Sequence, residues 1–335
     1  NGKVVYNNKK EIREVSMKKN TKCFLFLTTA TVAGMYAYNK FVASSATRKN
    51  LLTTKDGDFY DWKQGKVFYT KQGNGSPVLL IHDITPAGSS YEWNRVIKRL
   101  EKNHTVYTID LLGCGRSEKP QITYTNYLYV QLITAFIKDV IKDKPDIVAS
   151  NLSASFVIMA NNIDKDLFHK IIFINPVSVK KLEIVPDDIS KCRQRIFGLP
   201  LIGTFIYNIL FNPVHIDHTF RNKYFAKTNL ISSKMEDVYY ESAHLGDSKG
   251  KYLYSSLLGN YVNINIAHAL KKIDHPVYLI GSRGIKNNIH TLEEYRKLNS
   301  KFEIYMTSNS NLYPQLESPE NVATLINLIL KQDED

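Results

Sequence analysis

Short apolar runs alternate with amphipathic stretches along most of the chain. Residues 77–82 (PVLLIH) are apolar without a polar alternation, the pattern of a strand buried on both faces. Residues 104–110 (HTVYTID), 146–149 (DIVA), 170–175 (KIIFIN), 276–281 (PVYLIG) and 302–306 (FEIYM) read the same way. Ahead of them, residues 59–62 and 67–69 flank Gln64-Gly65 and predict a β-hairpin. Trp93, Val96, Ile97 and Leu100 share one side of a predicted helix over residues 90–100. Tyr129, Ile133, Phe136, Ile137, Val140 and Ile141 recur at helical spacing, and further helices are predicted over residues 156–160, 292–298 and 320–330. Strands alternating with helices predict an α/β chain with a mostly parallel central sheet flanked by helices.

The alternation stops over residues 178–275, which hold helical segments but no buried strand. This helical insertion falls between the sixth and seventh strands and divides the core into residues 57–177 and 276–335. Its most apolar stretch, residues 196–211, contains Phe197, Phe205 and Ile206.

The N-terminal region has a different logic. Residues 1–16 are polar and read as an upstream extension of a chain starting at Met17. A basic flank follows Met17, then an apolar run over residues 23–38. That order is how a signal peptide or membrane anchor begins. The run is shorter than the roughly 20 residues of a transmembrane helix. Extending it to Ala46 reaches that length and takes in Asn39 and Lys40, while Ala43, Ser44, Ser45 and Ala46 have the small side chains of a cleavage site. An uncleaved anchor, a cleaved signal peptide and a buried core helix all stay open, so residues 17–46 imply a membrane-associated or exported protein. Residues 47–56 read as a polar linker.

Composition narrows the classes. Among 335 residues, 43% are hydrophobic and 23% charged, enough for a packed core. Three cysteines without paired spacing exclude a disulfide framework and a zinc ribbon. Lys and Arg exceed Asp and Glu by 44 − 32 = 12, which draws the chain toward anionic surfaces. The basic residues form no dense cluster with interleaved aromatics, so no nucleic-acid partner is expected.

Three motifs converge. Residues 77–83 (PVLLIHD) precede Trp93, residues 110–120 read DLLGCGRSEKP, and Pro314, Glu317 and Pro319 stand before the last helix. With the hairpin, the strand order and the insertion, this resembles the α/β-hydrolase fold superfamily from about residue 57 onward. The insertion resembles its helical cap and is similar to the caps of cyanobacterial and plastid-type members. The resemblance implies a nucleophile on a tight strand-to-helix turn, a histidine base, an orienting acid and two backbone N–H donors for an oxyanion. At those three side-chain positions this chain carries Asn151, Gly284 and Leu312. Asparagine tolerates the positive φ of such a turn but is no nucleophile for ester hydrolysis. A second register puts Ser153 at the tip. The implied oxyanion donors are the N–H groups of Ile84 and Leu152, with His82 shaping their loop. Glu183 and Asp187 lie too far along to replace the acid convincingly, and His215, His218, His244 and His268 fall in the cap.

The resemblance, read with these departures, implies a degenerate triad with no cofactor and no metal. The expected protein binds an apolar small molecule or lipid, or a partner, under the cap, with His82, Phe197, Phe205 and Ile206 around the pocket. The competing expectation is a serine hydrolase of lipophilic esters or amides that uses Ser153 with a relocated acid and base.

Overall fold

A computed structural model describes residues 2–331; Asn1 of the expected extension and residues 332–335 of the expected core lie outside the described residues. A long helix, α1 (Gly2–Thr47), opens the chain. The hairpin follows as β1 (Gly57–Trp62) and β2 (Gly65–Gln72). Then come β3 (Ser76–Ile81), α2 (Asn94–Leu100), β4 (His104–Ile109), α3 (Asn126–Phe136), β5 (Asp146–Ser150), α4 (Ser153–Ile163) and β6 (Ile171–Ile174). The insertion folds as α5 (Val179–Leu182), α6 (Asp188–Gly198), α7 (Ile202–Leu210), α8 (Pro213–Thr219), α9 (Ser233–His244), α10 (Gly250–Leu258) and α11 (Ala267–Lys272). The chain closes with β7 (Val277–Ser282), α12 (Asn288–Leu298), β8 (Phe302–Thr307), α13 (Pro314–Glu317) and α14 (Pro319–Lys331).

All eight strands form one sheet in the order β1-β2-β4-β3-β5-β6-β7-β8. The two contacts of β2, with β1 and β4, are antiparallel and every other pairing is parallel. The uniformly apolar runs follow from this layering. Leu79 and Ile81 of β3 pack with Phe156 and Phe173 on one face, and Val78 and Leu80 pack with Trp93, Val322 and Ile326 on the other. Neither face meets water, so no polar alternation is needed.

The loop after β4 is closed by a buried ion pair. Asp110 is fully buried, where an isolated carboxylate is costly. Arg116 grips it through Nε at 2.7 Å and Nη2 at 3.0 Å, and the N–H groups of Ser90 and Arg116 add two more bonds. Burial pushes the Asp110 carboxyl up, but the Arg116 charge and these bonds prevail and hold it well below the usual range. Gly115 has φ +49° here, and a Cβ on it would meet Asp110 Oδ2 at 2.3 Å. Arg116 Nη1 also donates to the carbonyl of Leu52.

That bond bears on the expected linker. Leu52 is buried, and the N–H groups of Leu51 and Leu52 donate to Glu241 of α9. Within the expected linker, Leu51 and Leu52 are thus docked against core and cap, because their backbone groups find partners there, while residues 53–56 stay exposed. The expected N-terminal segment is one continuous helix with the residues before it. Among the described residues no helix is long and apolar enough to cross a membrane, so a spanning anchor gains no support.

Removing one partner of a buried ion pair leaves the other charge unpaired, which costs about 3–5 kcal/mol. Arg116→Ala should lower unfolding stability in urea by that order at neutral pH. The Asp110 contribution is fully present above the usual carboxylate range and is lost as pH falls through its lowered value. The deficit of the variant relative to the parent chain should therefore shrink on strong acidification.

Candidate functional site

The C-terminal ends of β3, β5, β6 and β7 meet beneath the cap. The turn from β5 into α4 carries Asn151 at φ +50°, the left-handed region in which asparagine is better tolerated than most residues. Its N–H donates to the carbonyl of Ile174 on β6, which holds the turn against the neighbouring strand. Asn151 therefore occupies the tip. Ser153 is fully buried at the start of α4, and its Oγ donates to the backbone carbonyl of His82 at 2.7 Å. Among the described residues no histidine ring is bonded to it.

His82 is itself buried rather than facing the pocket. Its Nε2 accepts the Leu111 N–H at 3.0 Å, which leaves the proton on Nδ1 to donate to the Asp83 carbonyl at 2.7 Å. Burial lowers its pKa, so the neutral ring serves as a bridge between the ends of β3 and β4.

The Asp83 carboxyl group lies where an oxyanion would bind. Oδ1 accepts the Leu152 N–H at 3.3 Å. That N–H is one of the two donors expected to form the oxyanion hole; the other, of Ile84, follows Asp83 directly in the chain. Oδ2 accepts from the Tyr313 hydroxyl at 3.0 Å, bringing in the loop after β8. Burial raises the Asp83 pKa, opposed by Tyr313, the Lys223 charge and the neighbouring backbone N–H groups. Behind it, Glu92 accepts the Asp83 N–H at 3.1 Å and the Gln315 amide at 2.6 Å. The sequence motif signals this arrangement only as an Asp following His82.

The two remaining positions carry Gly284 and Leu312. The Gly284 N–H donates to the Ser310 carbonyl, and a Cβ would meet Asn311 Oδ1 at 2.4 Å and Ser310 O at 2.5 Å. Leu312 lines the cavity with an alkyl side chain, and its carbonyl accepts from Asn175 at 3.0 Å. Asn175 organises this side of the site. Its Oδ1 accepts the Ser282 N–H at 2.9 Å and the Asn288 amide at 2.7 Å, and its Nδ2 also reaches Ser282 Oγ at 2.9 Å. Neutral amides and hydroxyls thus make up this side of the site.

Above Asn151 lies a cavity of about 530 Å³. Asp83, Asn151, Asn175, Lys181 and Lys223 give it polar walls, and Leu152, Val177, Leu257, Ile285 and Leu312 give it apolar ones. A second cavity of about 400 Å³ is lined by Phe211, Phe220, Tyr224, Tyr239 and Tyr254, and it shares Thr85, Lys223 and Leu257 with the first. The expected pocket residues lie elsewhere. Phe197 packs edge-on against Tyr254, Phe205 packs edge-on against Tyr38 of α1, and neither they nor Ile206 line either cavity. Amphipathic spacing told which side of α7 is apolar but not that α1 covers it. Of the cap histidines, His215 lines the aromatic cavity and none reaches Asn151 or Ser153. Among the described residues no cluster of His, Cys, Asp and Glu is arranged to hold a metal.

Burial pushes the Glu92 carboxyl up from 4.5 to about 8, with the nearby Asp83 charge adding to the rise. Between those values the folded chain binds more protons than the unfolded one, so stability falls as pH rises. Urea unfolding at a series of pH values from 5 to 8 should show this decline. Glu92→Gln should remove most of the slope while costing about 1–3 kcal/mol through its disturbed hydrogen bonds.

With the geometry in hand, comparison with known proteins places the chain. A family model described as "Alpha/beta hydrolase family" matches residues 78–325. A haloalkane dehalogenase of Agrobacterium fabrum is 23% identical over 128 residues, covering 38% of this chain and 41% of the relative. A 2-hydroxy-6-oxo-6-(2'-aminophenyl)hexa-2,4-dienoic acid hydrolase of Metapseudomonas resinovorans is 30% identical over 108 residues, 32% of this chain and 37% of the relative. The chain thus matches about two fifths of the length of these relatives. A proline iminopeptidase of Heyndrickxia coagulans is 23% identical over 287 residues, 80% of this chain and 96% of the relative. Among solved structures, a serine hydrolase involved in carbazole degradation superposes with a TM-score of 0.66 at 17% identity, covering 82% of this chain and 98% of that one. A membrane phospholipase A gives 0.65 at 17% identity, covering 93% and 98%. The sheet order, the cap after β6 and the matched family model together show that the chain belongs to the α/β-hydrolase family.

Proposed function

We propose that this chain is a non-hydrolytic member of its family that holds a ligand beneath the cap without cleaving it. The occupied oxyanion site carries the reading. Acyl transfer needs backbone N–H groups free to receive the negative oxygen of a tetrahedral intermediate. Here the Leu152 donor already bonds the Asp83 carboxyl group, which competes with a substrate oxygen for the same place. The elbow tip, Asn151, has no hydroxyl or thiol, and the loop after β8 has no histidine to act as base.

The cavities support a ligand of mixed character rather than the wholly apolar one expected from sequence. Its apolar body suits the aromatic chamber around Phe220 and Tyr239. Its polar end suits the chamber at Asn151, where Lys181 and Lys223 form no ion pair among the described residues. The competing reading, a lipophilic esterase or amidase using Ser153, gains nothing from the geometry, since that hydroxyl is buried and points at a carbonyl.

Fluorophosphonate labelling and p-nitrophenyl ester turnover test this directly. Neither should be detectable for the parent chain, and Asn151→Ser should stay unlabelled because it restores a hydroxyl without a base. Where triad members are absent, residual catalysis is at most about 10³–10⁴-fold over water. Labelling that vanishes in Ser153→Ala and survives in Asn151→Ala would establish the hydrolase instead.

A further inference from the structure

The apolar surface that the fold leaves uncovered is concentrated on α1 and the cap. Phe24, Leu27, Thr28, Thr31, Val32 and Met35 stand at positions i, i+3, i+4, i+7, i+8 and i+11 and so share a face of α1. That face meets the cap at residues 199–202, and the two line an apolar groove of about 550 Å³. Its rim is open: Phe24 is 66% exposed, Leu199 46% and Ile202 47%. Beside the groove, Phe26 is 74% exposed. A single exposed Leu is ordinary, whereas a contiguous patch of this kind marks an interaction surface.

Charge and length identify what covers it. Residues 17–22 carry Lys18, Lys19 and Lys22 and no acidic residue, within a chain of net charge +12. A layer of anionic lipid headgroups complements that combination of basic flank and apolar face. The apolar run over residues 23–38 reaches about 24 Å as a helix, short of the ~30 Å hydrocarbon core. Its far end is fixed to the cap. Asn39 donates to the Leu201 carbonyl at 3.2 Å, Lys40 pairs with Asp247 at 3.3 Å, and Tyr38 packs on Phe205. The helix therefore presents its apolar length at the same level as the cap turn.

We propose that α1 and the cap turn at residues 199–202 form one face that seats in a single leaflet of an anionic membrane, resting the cap on the lipid. The proposal stands on surface residues alone and is independent of the ligand-binding reading.

Flotation of the full chain with vesicles of phosphatidylcholine, with and without phosphatidylglycerol, tests it. Binding is expected with the anionic vesicles and should fall steeply as salt is raised. The double variant Leu199→Glu with Ile202→Glu should weaken it about tenfold, as should Phe24→Glu with Leu27→Glu. These side chains are at least half or nearly half exposed, and an unchanged unfolding midpoint verifies that each variant folds. Loss of binding in the α1 variant alone would overturn the shared face. Equal binding to neutral vesicles would overturn the role of charge, and absence of binding to either would overturn the proposal. So would a dimer seen by sedimentation that the cap variant dissociates while vesicles stay unbound, because the face would then belong to a second copy.

Discussion

A buried carboxyl group must have its oxygens satisfied, and at the heart of this molecule Asp83 does so by taking bonds from two distant parts of the chain. The N–H of Leu152 belongs to the elbow and the hydroxyl of Tyr313 to the loop after β8. The geometry of the cavity floor follows from that engagement.

Two other carboxylates extend the same principle outward. Asp110 secures the loop after β4 through Arg116, which in turn reaches Leu52. Glu317 accepts from the N–H groups of Ala226 and Lys227 in the cap and from Asn311 in the core. Cap and core are thus joined by charge-assisted hydrogen bonds to backbone, which are stronger than neutral ones. The docked segment before β1 adds a further tie through Glu241.

How far the sequence disclosed this depends on the range of each interaction. The strands were readable because burial on both faces leaves an uninterrupted apolar run, as at Val78–Ile81, where the neighbours above and below need not be known. The elbow was readable because a left-handed position restricts the choice of residue, and Asn151 satisfies it locally. The plug was not, since Asp83 and Tyr313 are 230 positions apart and nothing near either residue announces the other. Phe205 illustrates a second limit. Its periodicity foretold burial, but a stripe of apolar side chains does not name its partner, and α1 rather than a ligand covers it. The docking of Leu51 and Leu52 is illegible in sequence for a related reason, because its bonds run from backbone N–H groups that every sequence possesses.

The environment of Gly284 limits what can stand there. The backbone of Ser310 and the side chain of Asn311 lie so near that even a methyl group would collide, at 2.5 Å from the Ser310 carbonyl oxygen. A carboxylate could occupy that position only after the adjoining loop had been rebuilt. A single substitution there would therefore act on the loop before it acted on any ligand, so backbone sterics, and not side-chain chemistry alone, set what this corner of the site accepts.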